Sequence, residues 1–504
     1  METSKKSRTY NIIVNSAIGV VASVLQILLN YAVRIIIVQK LGSEINGLHT
    51  LFTSILNVMM LMEAGFGTAM VIHLYRPIEE KNEIEIKGII SFYKKIYTFI
   101  SIGLVLVGVI INFFVIDSLV TSNIALNTVR LYFFLFLFSF AMYYLTYYKR
   151  SILFAEQKNR ISVLVSLICE IVFRVLQIVV VIKCNSYLAF LTLMILEKLS
   201  ANIICNIYIN KEHPYLKSNK EKISDKNKKS IIDTVKPLVV FNVSSTIQGS
   251  SRSILISMLL GNISVVGYYG NYQLVIGAVQ LLYSQFGAAF TSSFGNLSVS
   301  EDRQKMYNVF KEFSNVLNWI TVLLCAGFVT CIQDFILFTF GEEYVLPLIA
   351  VLLLTADMFV YLINIPIISI QNSMGLHDKD KYYMVLQAIA VIVLGYILGI
   401  KMGMSGILIG AIIPQVIFNL IHKGYIVYEY AFFIDGKRYF GLLLGEFFKS
   451  GIIIIICALA VTKIAITSVF LRIVMKIIIT VGIVCILFLV ECLFKRKYKL
   501  LKKF

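Results

Sequence analysis

Two arginines set in apolar sequence offer the most specific chemistry in the chain. Arg34 is preceded at four-residue steps by Asn30 and Gln26, and Arg252 is preceded at the same steps by Gln248 and Ser244. Residues at i, i+4 and i+8 share one face of a helix, so each set makes a polar stripe that ends in a guanidinium. That group presents a planar fork of N–H donors matched to phosphate or carboxylate oxygens. The stripes lie 218 positions apart, and each runs on to a Leu-Gly pair, Leu41-Gly42 and Leu260-Gly261, with one residue inserted in the second copy. Further along, Gly65-Phe66-Gly67 is echoed by Phe286-Gly287. These matches define an internal repeat. Arg34 is also six residues from Lys40 and could extend to an outer interface, but its match with Arg252 favours a ligand-facing role.

Other ionisable residues sit in apolar runs. Glu170 and Arg174 are an i,i+4 pair that either neutralises itself inside a bundle or faces a cavity. Glu63 lies deep in its run and is either paired or functional, and Glu197 adjoins Lys198. Asp357 is close to mid-run with no local partner, which points to a proton or cation site or to an interhelical ion pair. Asp357, Glu170 and Glu63 are therefore the candidates for proton or Na⁺ coupling. Lys476 lies near the start of its run, as an interfacial group would. Tyr268, Tyr269 and Tyr272 read as packing or an interfacial belt, although tyrosines in a polar groove also suit sugar rings. Pro366 and Pro414 are hinges or kinks tolerated in lipid.

The elements that position these groups follow from composition. Of 504 residues, 58% are hydrophobic and only 15% charged, with a mean hydropathy of +0.83. That balance excludes a soluble enzyme, a disulfide scaffold and a disordered chain, and apolar runs of twenty residues exclude a β-barrel. Fourteen segments reach the roughly 20 residues that a bilayer core requires, the first near 12–38 and the last near 470–493. The eight cysteines fall mostly within these segments without CxxC spacing and read as small buried hydrophobes; the five histidines form no HExxH. No metal site and no cofactor are expected. The basic residues Lys5, Lys6 and Arg8 precede an apolar stretch too long for a signal-peptide core, which reads as an uncleaved anchor and the first span.

Lys and Arg exceed Asp and Glu by 46 to 28. With the N-terminus placed in the cytoplasm, thirty-five of the 46 fall in every second connection, the pattern expected of cytoplasmic loops. Both termini are then cytoplasmic, and the basic excess needs no nucleic acid. The longest polar stretch, Lys211 to Lys236, follows the sixth span. It divides the chain into an N-lobe at 1–210 (spans one to six), a cytoplasmic linker at 211–236, a C-lobe at 237–428 (spans seven to twelve), and spans thirteen and fourteen with a basic tail at 429–504. Six spans separate the repeat copies, so they share an orientation. The expected fold is an all-α polytopic membrane protein of about fourteen transmembrane helices, with two parallel six-helix lobes around a central cavity and two extra C-terminal helices.

Arg34 followed by Leu41-Gly42-Ser43-Glu44-Ile45-Asn46-Gly47-Leu48, then Glu63-Ala64-Gly65-Phe66-Gly67-Thr68-Ala69 and Leu74-Tyr75-Arg76-Pro77-Ile78, resembles the polysaccharide repeat-unit flippases (O-antigen, capsule, exopolysaccharide) of the multidrug/oligosaccharidyl-lipid/polysaccharide exporter superfamily. The topology resembles that family over nearly the whole chain, and the sequence signature is concentrated in residues 30–80. The resemblance implies alternating access in a bacterial cytoplasmic membrane. The cargo would be an undecaprenyl-pyrophosphate-linked oligosaccharide moved from the cytoplasmic to the outer leaflet for cell-surface polysaccharide assembly, with a polysaccharide polymerase and assembly proteins as partners. By the same resemblance, Arg34 and Arg252 would meet the pyrophosphate or acidic sugars, with Arg174, Gln26, Asn30, Ser244 and Gln248 in the same cavity. Spans thirteen and fourteen would lie outside the lobes beside the lipid tail. Membrane potential would assist export of an anionic headgroup by about 2.3 kcal/mol per charge per 100 mV. A cation-coupled multidrug exporter of the same superfamily would need a more apolar or acidic cavity, against which the paired arginines argue. A membrane-embedded polymerase or ligase would need a sizeable outer loop, whereas the longest loops, 210–236 and 429–446, fall on the cytoplasmic side. No G-x-x-x-x-G-K-[ST] is present for an ATPase of its own.

Overall fold

Apolar runs of this length satisfy their backbone groups in lipid only by coiling into helices, and the computed structural model is helical throughout. It describes residues 2–63, 65–217, 223–298, 303–462, 464 and 466–501, among which no strand occurs. Among the described residues, eleven helices are long and apolar enough to cross a membrane. Two of them are double: Ile18–Met59 is interrupted at Gly42 and Lys381–Ala431 at Gly403, each glycine holding a positive φ (86° and 59°). The helix Asp225–Leu260 is the seventh segment, too polar to be recognised by hydropathy. With these the fourteen expected segments are present, and the fold is an all-α, multi-pass membrane fold. Large apolar side chains such as Phe99, Ile110, Phe448 and Leu493 point outward, as lipid-facing groups do.

The repeat has a conformational counterpart. Gly42 and Gly261, matched in sequence, end the first and seventh spans with positive φ of 86° and 58°, a region that L side chains rarely adopt.

By internal packing the chain divides into residues 1–267 and 268–504. The linker expected at 211–236 is a boundary of the sequence repeat, while the packing boundary falls after the seventh span. Contacts along that helix account for this. Asn227 Nδ2 donates to Glu85 Oε1 at 2.8 Å, His73 Nε2 lies 3.2 Å from Ser230 Oγ, and the Ser257 hydroxyl donates to the Leu119 carbonyl. Elsewhere in this unit, Ser101 Oγ donates to the Ala141 carbonyl at 2.9 Å, and Asn202 Nδ2 donates to the Tyr143 carbonyl at 3.0 Å and to Thr146 Oγ1 at 2.8 Å. Such interhelical hydrogen bonds hold spans together where lipid supplies no hydrophobic drive.

In the second unit, spans thirteen (Lys437–Val461) and fourteen (Val469–Leu501) pack on the ninth (Arg303–Thr339) through Trp319, Val322, Ala326, Ile453, Cys457 and Val484. Asp334 of the ninth span holds both Arg472 (2.7 Å) and Lys476 (2.6 Å) of the fourteenth. Lys476, expected at the interface, is thus fixed to an acid on a neighbouring helix. The tenth span is two helices, Leu348–Ile363 and Ile365–Met374, with Pro366 at the start of the second. Pro414 precedes a π-helical stretch, Gln415–His422. Tyr269 and Tyr272 are buried, and Tyr272 accepts the Leu346 N–H at 3.0 Å, so these two pack, while the half-buried Tyr268 donates to Glu343 Oε1 at 2.7 Å. Of the eight cysteines, all free, five are buried and Cys184, Cys485 and Cys492 are exposed, contrary to the expectation of general burial. An outward-facing thiol among lipid-exposed apolar groups carries no penalty that would force it inward.

Candidate functional site

The second span is not one helix. After Met59 it tightens into a single 3₁₀ turn, Met60–Glu63, and the helix restarts at Phe66 beyond Gly65, whose φ is 87°. At this break the first unit contains a cavity of about 740 Å³. Ser54, Asn57 and Glu63 line it before the break, and Gly67 and Thr68 after it. Tyr97 of the third span (Glu83–Phe114) faces it, as do Tyr147, Tyr148 and Ser151 at the end of the fourth. Asn242, Thr246, Gly249 and Ser250 of the seventh span complete it. Asn242, Thr246 and Ser250, within the polar stretch of the seventh span, thus line a cavity rather than lipid.

Among the described residues of this wall, Glu63 is the one that carries a carboxyl group. The Tyr97 hydroxyl donates to its Oε1 at 2.8 Å. Gly67 leaves room for that contact, since a Cβ there would stand 3.0 Å from Glu63 Oε1 and 3.4 Å from the Tyr97 oxygen. Tyrosine rings continue behind it, Tyr97 to Tyr147 at 6.5 Å, Tyr97 to Tyr144 at 6.1 Å and Tyr143 stacked on Tyr147 at 4.7 Å. The cations next to this wall in sequence have partners of their own. Lys149 Nζ donates to Asn210 Oδ1 at 2.7 Å. Arg150 donates to Ser166 Oγ at 2.8 Å while its guanidinium lies over the Tyr147 ring at 5.6 Å.

Among the expected site residues, Glu63 alone lines this cavity. Ser244, Gln248 and Arg252 occupy a different face of the seventh helix from Asn242, Thr246 and Ser250, so that helix is polar on two sides. Ser244 and Arg252 are buried, Arg252 at 7% exposure, and Gln248 is half-buried. Arg34, at 8%, donates to Thr50 Oγ1 in the second span. Next to it, His49 meets the Tyr187 hydroxyl at 3.0 Å within a ring of Phe136, Tyr187 and Phe190. Both stripe arginines are thus buried.

Gln26 and Arg174 belong to a third group. Gln26 Nε2 donates to Glu170 Oε2 at 2.8 Å, and Arg174 lies 3.8 Å from Glu170 and 3.9 Å from Glu197 while donating to Gln177 Oε1 at 2.9 Å. Lys198 sits over the Phe140 ring at 4.2 Å. Asn30 is half-buried on the first span. The Glu170–Arg174 pair is real and extends to a second acid, which makes the group a charge-balanced knot joining spans one, five and six. In the second unit, Asp357 is buried at 4% and accepts Gln415 Nε2 at 3.0 Å, the first residue of the π-helical stretch. Its partner comes from another helix 58 residues away, which is why the local sequence shows none. Among the described residues no three His, Cys, Asp or Glu side chains converge as a metal site would require.

Sequence reasoning missed the tyrosines at 97, 147 and 148, and within the polar stretch of the seventh span it did not single out Asn242, Thr246 and Ser250 as a face of their own. A signal for the second was present, because four-residue steps of polar residues run through the seventh span in two registers. Tyrosines in apolar runs give no such signal.

No protein-family model and no curated protein matches the sequence. Solved structures do. A lipid II flippase MurJ in an inward closed conformation is similar at a TM-score of 0.69 and 15% identity, over 96% of this chain and 99% of that one. Two multidrug resistance MATE family transporters of the MOP superfamily are also similar. The inward-facing one has a TM-score of 0.65 at 15% identity, over 80% of this chain and 94% of its own. The outward-facing one has 0.54 at 14%, over 82% and 93%. At these identities the likeness establishes the fold, a multi-pass helical architecture shared with proteins described as transporters and flippases rather than enzymes.

Proposed function

We propose that the chain is a flippase of the polysaccharide repeat-unit type. In this reading it carries an undecaprenyl-pyrophosphate-linked oligosaccharide from the cytoplasmic to the outer leaflet of a bacterial cytoplasmic membrane by alternating access, with both termini cytoplasmic. The carrying observation is the pair of buried arginines, Arg34 and Arg252, at matched positions of an internal repeat. A central arginine in a membrane costs ~2.5–3.5 kcal/mol even on insertion scales. Two of them at equivalent places are explained by an anion that both can grip, and a pyrophosphate provides the oxygens. The fold shared with a lipid II flippase supports a lipid-linked cargo. Asp357 and Glu170 remain the proposed coupling groups for protons or Na⁺, and a polymerase and assembly proteins the proposed partners.

The test is export of surface polysaccharide in a strain lacking the chromosomal copy. Arg34→Ala or Arg252→Ala should abolish export while the protein still inserts, with lipid-linked repeat units stranded in the cytoplasmic leaflet, and Lys at either place should restore part of it. Full export by the double Ala variant would sink the proposal. A second reading, a cation-coupled multidrug exporter, draws on Glu63 and its tyrosines and on the fold shared with multidrug transporters. It predicts drug sensitivity, with unchanged polysaccharide, when the protein is removed.

A further inference from the structure

The cavity at the break in the second span has a wall chemistry unlike that of the arginine stripes. We infer that it binds the glycan portion of the cargo, taking neutral or amino-bearing sugar residues and rejecting acidic ones; this rests on the flippase reading above.

Four observations lead there. First, size: about 740 Å³ lies within the roughly 300–1,000 Å³ of small-molecule sites. Second, the polar groups are mostly uncharged and of both kinds. Asn57 and Asn242 each offer donors and an acceptor, and the hydroxyls of Ser54, Thr246 and Ser250 can do either. A sugar ring displays hydroxyls that likewise donate and accept, so such a wall satisfies it without demanding a charge. Third, tyrosines form one side. Their flat apolar faces cover the C–H face of a pyranose while the hydroxyl end stays polar. Fourth, among the described residues that line the cavity the carboxyl is Glu63 and none is Lys or Arg. Lys149, next to the wall in sequence, donates to Asn210, and Arg150 donates to Ser166 and lies over the ring of Tyr147. A pyrophosphate or uronate entering would meet no cation among the described lining residues and would crowd a second acid against Glu63, an arrangement that like-charge repulsion disfavours. A sugar hydroxyl or ammonium, by contrast, can donate to Glu63 beside the Tyr97 hydroxyl. The molecule thereby separates two tasks, arginines for the anionic headgroup and this cavity for uncharged sugar.

The experiment titrates the purified full-length protein in lipid nanodiscs, with binding read by saturation-transfer NMR and thermal shift. The probes are N,N′-diacetylchitobiose (neutral), chitobiose (cationic), a glucuronic-acid disaccharide (acidic), inorganic pyrophosphate and tetraphenylphosphonium. The neutral and cationic disaccharides should bind at least tenfold tighter than the acidic one, and pyrophosphate should not displace them. Glu63→Gln should narrow the discrimination against the acidic sugar by about tenfold while leaving diacetylchitobiose within threefold. Tyr147→Ala should weaken diacetylchitobiose about tenfold and leave pyrophosphate binding unchanged. Equal affinity for the acidic disaccharide, displacement of bound disaccharide by pyrophosphate, or unchanged discrimination in Glu63→Gln would each overturn the inference. Binding of tetraphenylphosphonium at this cavity with no saccharide binding would overturn it too, in favour of the multidrug reading. The flippase reading fails separately: its sign is pyrophosphate binding that is indifferent to Arg34→Ala and Arg252→Ala, whatever the sugars do.

Discussion

At the scale of single residues, Glu63 shows how much depends on a neighbour that contributes nothing but space. Gly67 admits the Glu63 carboxyl to the Tyr97 hydroxyl, and the atom a new Cβ would meet is the far end of a flexible side chain. Gly67→Ala should therefore displace the carboxyl rather than unfold the protein. The melting temperature in detergent should change little, while export falls to the level of Tyr97→Phe; a large loss of melting temperature would contradict this. A different balance operates in the connection between spans four and five. Burial works to raise the Glu156 carboxyl, but His213 at 3.1 Å and Lys158 at 3.0 Å outweigh it and hold the group below the usual carboxylate range. A carboxylate whose folded value is depressed stabilises above its unfolded value of about 4.3, and the contribution fades as pH falls through the folded value. Glu156→Gln should accordingly lower thermal stability at pH 7, with the gap between variant and parent closing below about pH 4. Glu63, Arg34 and Arg252 were legible in sequence because a charge in an apolar run is conspicuous. Tyr97 and Tyr147 were not, because a tyrosine there looks the same whether it packs or binds.

At the scale of elements, breaks decide what the helices can do. The turn at Gly42 could be read from Lys40-Leu41-Gly42-Ser43, whereas the 3₁₀ turn at Met60–Glu63 has nothing but apolar residues and one acid to announce it. Tertiary packing, not propensity, sets that turn. The link between the ninth and fourteenth spans was equally hidden, since Asp334 and Lys476 are 142 residues apart. Asp334 balances two cations, so Asp334→Asn leaves both without their counter-charge in a poorly hydrated place. Breaking a buried pair costs on the order of 3–5 kcal/mol, and a loss of about 3 kcal/mol is expected in thermal unfolding of the purified protein. Adding Lys476→Met should recover part of it. Recovery would be missing if Asp334 acted only through Arg472.

At the scale of the whole molecule, apolar runs of about twenty residues gave the span count, with which the alternation of Lys and Arg agreed, and the helices reproduce it. Orientation is the further step. A reporter fused after His213 should score cytoplasmic and one after Glu343 external; the reverse at either site would overturn the proposed topology. Where the chain divides was less legible, because a polar linker marks the repeat while side-chain contacts from Asn227 to Ser257 mark the packing. Finally, the π-helical stretch at Gln415–His422 carries surplus length. An α-helix turns by about 100° and rises about 1.5 Å per residue, so a turn wound one residue too wide is a stored increment of screw motion. Tightening it to α geometry would twist one end of the twelfth span against the other by about that angle and swing Gln415 off Asp357. Under the proposed coupling at Asp357, an arriving proton or cation would be felt as rotation of a whole helix, with no hinge required.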